Sequence, residues 1–121
     1  MSELLPRTRC FALQCLQVAD GMSMRLGARA VSSQLARSAT SVAANYRAAR
    51  RGRSKAEFLS KLQIALEEAD ESHFWLGMAV DGGYVHVEKV QYLIREADEL
   101  TAMLVASLKT ARRGSSPNQR L

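Results

Sequence analysis

SKAEFLSKLQIALEEADESHFWLGMAVDGG, residues 54 to 83, is the stretch whose reading decides the fold. It opens with Ser54, Lys55, Ala56 and Glu57. That is an S-x-x-E capping box, in which the serine hydroxyl and the glutamate carboxylate each satisfy an amide that a helix N-terminus leaves unpaired. Phe58, Leu62, Ala65, Ala69, Leu76 and Val80 then follow one stripe at the 3.6-residue period, with none of the alternation of a half-buried strand. Gly82 and Gly83 close the segment, where a helix C-terminus favours a residue free to take positive φ.

The same pattern extends in both directions. Phe11, Cys15, Val18 and Met22 form a first stripe, and Gly21 ends that segment. Val31, Leu35, Ala39, Val42, Tyr46 and Ala49 form a second, ended by Gly52. Val90, Leu93, Ala97, Leu100, Leu104 and Leu108 form the fourth. The only prolines are Pro6 and Pro117, so no proline breaks the interior. Helices of roughly 17 to 29 residues joined by short turns predict an all-α fold, an antiparallel up-down-up-down four-helix bundle. At 121 residues the chain is one domain by length, large enough for a core without metal or disulfide support. The bundle is expected over residues 1–113, with a disordered C-terminal tail over residues 114–121.

Cys10 and Cys15 fall on one predicted helix with Cα atoms roughly 8 Å apart, beyond the reach of a disulfide. Both read as reduced thiols, which fits a reducing compartment. The N-terminal residues lack the charged flank and apolar run of a signal peptide. No window reaches the roughly 18 uninterrupted apolar residues of a membrane span. The expectation is a cytoplasmic protein that does not enter a membrane.

Net charge is +5, and its distribution along the chain is uneven. Residues 21 to 56 hold eight basic groups (Arg25, Arg29, Arg37, Arg47, Arg50, Arg51, Arg53 and Lys55) and no acid. Residues 57 to 100 hold ten acids against Lys61, Lys89 and Arg95. The last 21 residues are basic again through Lys109, Arg112, Arg113 and Arg120. Such asymmetry implies a partner of complementary sign, either a polyanion such as RNA or DNA or the acidic segment of this chain or of another copy.

On a helical wheel the second segment has three faces. Beside the apolar stripe, Gln34, Arg37, Ser38, Ser41 and Asn45 fall in an arc of roughly 100°. These small and hydrogen-bonding groups suit a close contact between helices or subunits. Arg29, Arg47 and Arg51 lie further round. With Arg50, Arg53 and Lys55 they are the candidate nucleic-acid-binding residues, because clustered cations at a helix end and turn can contact phosphates. Only Tyr46 is interleaved with them, so base stacking is not indicated. In the third segment Glu57, Ile64, Glu68, Glu71, Trp75 and Met78 share an arc away from the core stripe. A tryptophan ringed by carboxylates there suggests a partner surface, with Ile64, Glu68, Glu71 and Trp75 as candidate interface residues.

Catalytic and metal patterns are weak. A di-metal helical bundle needs Glu-x-x-His on two helices, whereas His73 follows Glu71 by two and His86 stands alone near a turn. No nucleophile with a base and an acid at recognisable spacing, no phosphate-binding glycine loop and no CxxC occurs. No catalytic residue, metal site or cofactor is expected.

With these residues in place, the chain resembles the four-helix-bundle proteins encoded in intervening sequences of bacterial 23S rRNA genes. Those are in turn similar to the accessory variability determinants of diversity-generating retroelements. The resemblance runs through QLARSATSVAANY, SKAEFLSKLQIALEEADESHFWL and LIREADELTAMLVASLKTAR. Its most specific part is the Gln34, Arg37, Ser38, Ser41, Asn45 series followed by Phe58, Ala65, Glu68 and Glu71. It implies an up-down four-helix protomer, assembly into a homopentamer and no enzymatic activity. For the retroelement members it further implies a basic nucleic-acid-binding surface and a reverse transcriptase as partner. One departure is Ala48, where the family usually has Glu three residues after the Asn.

Overall fold

A computed structural model describes residues 3–114. The tail expected over residues 114–121 lies outside the described residues except for Gly114. Four helices account for almost all of the rest: α1 (Leu4–Asp20), α2 (Leu26–Arg50), α3 (Lys55–Asp81) and α4 (Val87–Arg113). Sequential neighbours run antiparallel, as the short links require. α1 packs on α2, α2 on α3 and α3 on α4, while α1 closes only thinly on α4. The result is the four-helix bundle that the periodicity predicts.

Every apolar residue on the α2 and α4 stripes is buried. On α1 and α3 the stripes hold at Phe11, Cys15, Leu62, Ala65, Ala69 and Leu76, whereas Val18, Phe58 and Val80 pack at the core's margin. Met22, just past the end of α1, turns back into the core. The capping box forms with one change of partner. Ser54 Oγ accepts the Glu57 N–H at 3.0 Å, but the Glu57 carboxylate accepts the N–H of Arg53, not that of Ser54, at 2.7 Å.

The expectation of positive φ at the closing glycines fails at all but one. Gly21 and Gly82 keep helical angles, and among the described residues only Gly83 takes positive φ, at 77°. There the Gly83 N–H reaches Val80 O and the Tyr84 N–H reaches Ala79 O, which together make a Schellman motif. The helix therefore turns one residue later than the first glycine.

α1 has 17 residues against 27 for α4, and its register is set near its start. Arg7 donates to Glu96 at 2.7 and 3.0 Å and to Glu99 at 3.0 Å, and its guanidinium lies 3.3 Å from Met103 Sδ. Met103 is ten residues before Arg113, or about 15 Å along the helix axis. The last turns of α4 therefore project beyond α1.

Candidate nucleic-acid interface

The projecting end carries the cations. Antiparallel packing places the C-terminus of α2, the following turn, the N-terminus of α3 and the C-terminus of α4 at one pole. Arg47, Arg50, Arg51, Arg53, Lys55, Lys109, Arg112 and Arg113 gather there, and all but the half-buried Lys55 are exposed. The turn itself bounds a cleft of about 440 Å³ lined by Arg50, Arg53, Lys55 and Phe58. Arg50 lies one turn after the buried Tyr46, 3.5 Å from its hydroxyl. Among the described residues, Arg47, Arg51, Arg53, Lys55, Lys109, Arg112 and Arg113 form no salt bridge. Basic residues in the last turns of α2 and α4 also face helix C-termini, a placement the backbone dipole favours.

Of the six candidate nucleic-acid residues, the fold brings together Arg47, Arg50, Arg51, Arg53 and Lys55 and separates Arg29. Arg29 lies in the first turn of α2, about 27 Å along the axis from Arg47. Lys109, Arg112 and Arg113 join the pole without having been singled out. They lie more than fifty residues away in sequence, and only the up-down topology brings them alongside.

The small polar face of α2 meets α3. Buried Ser38 and Ser72 face each other with their hydroxyl oxygens 3.1 Å apart, and Ser72 donates to the Glu68 carbonyl at 2.8 Å. Arg37 crosses this seam to Glu68 at 3.2 Å and to Glu71 at 2.5 Å, while its Nε donates to Gln34 Oε1 at 3.1 Å. Glu71 also accepts from Trp75 Nε1 at 3.2 Å. The Arg37 guanidinium, and after it the Trp75 indole, hold the Glu71 carboxyl below its ordinary range. Asn45 donates back to Ser41 O and Oγ within α2, at 3.0 and 2.9 Å. Ile64 is half-buried. The carboxylate and tryptophan stripe of α3 thus flanks a seam inside the chain, and its Trp75 packs against the core margin. The large apolar side chains that do face outward on α3 are Phe74 and Met78. Phe74 meets the Trp75 ring edge-on at 4.9 Å.

Cys10 is exposed and Cys15 buried, both as free thiols. Burial pushes the Cys15 thiol up to about 12. Among the described residues, no group of three His, Cys, Asp or Glu side chains converges as a metal site requires. No helix among them is long and apolar enough to cross a membrane. The open α1–α4 seam contains a cleft of about 600 Å³ bordered by Gln14, Gln17, Tyr84, His86, Lys89 and Tyr92.

The model of the 23S rRNA-intervening sequence protein family matches residues 3–106, which covers all four helices but the last turns of α4. The chain belongs to this family. A crystal structure of a protein of unknown function from the S23 ribosomal protein family of Bacteroides thetaiotaomicron is similar throughout. Its TM-score is 0.79 at 27% identity, over 88% of this chain and 98% of that one. No curated protein matches. Lys109, Arg112 and Arg113 lie beyond the residues that the 23S rRNA-intervening sequence family model matches.

Proposed function

We propose that this protein is a non-enzymatic binder of RNA or DNA, which it holds by the phosphate backbone at the pole where α2, α3 and α4 end. The observation that carries this reading is the convergence of Arg47, Arg51, Arg53, Lys55, Lys109, Arg112 and Arg113 at one end of the bundle, their side chains in no salt bridge among the described residues. Arginine forks and lysine ammonium groups on a convex end suit phosphates, which ask only for charge and hydrogen-bond donors. The pole presents no exposed aromatic ring among the described residues, so recognition is of backbone and not of bases. Glu68 and Glu71 are engaged by Arg37 inside the chain, which leaves Glu57 as the one α3 acid near the pole.

Fluorescence anisotropy with a labelled RNA or DNA duplex tests the reading. Affinity should fall linearly on a log-log plot as salt rises. Absence of binding at low salt overturns it. The resemblance to retroelement accessory proteins makes a reverse transcriptase the partner to seek around the bound nucleic acid.

A further inference from the structure

At the end of the bundle opposite the basic pole, α1 and α4 stand apart, and the gap between them is the cleft of about 600 Å³. The Arg7 and Glu96 pair fixes what faces what across it. Gln14 lies seven residues after Arg7 and Lys89 seven before Glu96, so in antiparallel helices both stand about 10 Å along the axis from that pair. Gln17 and His86, each ten residues from its end of the pair, are level with one another at about 15 Å. A stripe of Gln14, Gln17 and Val18 on α1 therefore opposes one of His86, Lys89 and Leu93 at the start of α4. Buried Met22 and Leu93, with half-buried Val18 and Val85, give the cleft an apolar base.

Both tyrosines that lie outside the core border this cleft. Tyr46 is buried, whereas Tyr84 is 37% and Tyr92 54% exposed. Two glycines seat Tyr84: a side chain at Gly82 would collide with its ring, and one at Gly27, the second residue of α2, with its hydroxyl. The Tyr84 ring is thus a preformed wall at the end of the cleft. The charge there has one sign. Lys89 forms no salt bridge among the described residues, and neither the adjacent Glu88 nor any other carboxylate lines the cleft. Glu96 and Glu99, further along α4, are taken by Arg7.

We infer that this cleft binds a small aromatic carboxylate of one or two fused rings. The carboxylate sits between Lys89 and Gln14, where an ammonium and an amide donor stand level across the seam. The ring lies on the apolar base against the tyrosine side chains. Clefts of about 300–1,000 Å³ hold molecules of this class, and gaps between bundle helices are among their usual places. A polyanion is the wrong occupant, since one lysine over an apolar base offers it a single charge and no place for a second phosphate.

Naphthoate is the probe, titrated into the isotope-labelled full chain without nucleic acid and followed by NMR amide shifts. The shifts should saturate with a Kd of about 1 mM or tighter and gather at residues 14–22 and 84–93. The uncharged methyl ester should bind about tenfold more weakly than the acid. Lys89→Ala should weaken the acid about tenfold and leave the ester within about twofold. Gly27 does not line the cleft, and alanine suits its place in α2, but the added methyl drives Tyr84 from its seat. Gly27→Ala should therefore weaken acid and ester alike, about fivefold. Shifts that do not saturate or that spread over the whole bundle, equal binding of acid and ester, or octanoate bound as tightly as naphthoate would overturn the inference. The cleft and the basic pole lie at opposite ends of the bundle, so none of these results bears on the nucleic-acid reading.

Discussion

Replacing Arg112 and Arg113 together by alanine separates a fold-assembled basic pole from a merely basic stretch of α2. The two arginines end α4, remote in sequence from the basic run of residues 47 to 55 but at the same end of the bundle. For a footprint of about four phosphates, counterion release gives a slope of roughly −3.6 in log affinity against log salt. Binding then weakens about 150-fold between about 50 and 200 mM salt. Losing two of those contacts should halve the slope to roughly −1.8 and reduce the loss over the same range to about 12-fold. At physiological salt near 0.15 M the double variant should bind about 30-fold more weakly, or about 2 kcal/mol. Arg29→Ala, about 27 Å away along α2, should stay within about twofold of the wild type. Anisotropy titrations of the three proteins on one labelled duplex read both slope and affinity. An unchanged slope in the double variant, or an equal loss in Arg29→Ala, would refute a binding surface at the pole.

The remaining expectations concern the fold that positions the pole. A thiol reagent should label Cys10 alone in the native protein and both cysteines in denaturant, since burial holds Cys15 as an inert thiol; quantifying the released chromophore checks this. Arg7→Ala leaves the Glu96 carboxylate, whose side chain is only 8% exposed, without its partner and should lower stability by about 3 kcal/mol in urea unfolding. Arg37→Ala removes a pair whose arginine is half exposed and should cost no more than about 1 kcal/mol. Because Arg37 depresses the Glu71 carboxyl from 4.5, this stabilisation is present above that value and is lost as pH falls through the depressed one. The difference between Arg37→Ala and wild type in urea midpoint should accordingly narrow on acidification.

Helix number, order and core stripes were legible in the sequence because one period governs each segment and each segment ends in a turn signal. What lay across the bundle was not. The wheel sets Trp75, Glu68 and Glu71 away from the core stripe, yet they flank a seam, because Ser38 and Ser72 let α2 and α3 approach closely enough to cover a wide arc of α3. Angle around a helix was readable, whereas the closeness of its neighbour was not. Phe74, one residue from Trp75, is the ring that this geometry leaves outside. The Arg7 and Glu96 pair, 89 residues apart, depends on the register of α1 against α4, which no local pattern encodes. Lys109, Arg112 and Arg113 were missed for the same reason: their neighbours at the pole belong to other helices.

The sequence places a basic block directly before an acidic one, which invites the idea that the two neutralise each other. Antiparallel packing prevents this at the pole. The part of α3 that runs beside the last turns of α2 contains Lys55 and Lys61, with Glu57 as its one acid, and the main run of carboxylates begins only at Glu67. Glu67 is twelve residues from Lys55, or about 18 Å along the axis. On α4, Glu99 stands about 21 Å from Arg113. Both separations exceed the screening length of about 8 Å at physiological salt. Glu68 and Glu71 therefore act on Arg37 at the middle of the seam, and at the pole Glu57 is the one α3 carboxylate set against the cations. A positive end that persists at physiological salt is the condition for capturing a polyanion there, and it arises from helix direction as much as from composition.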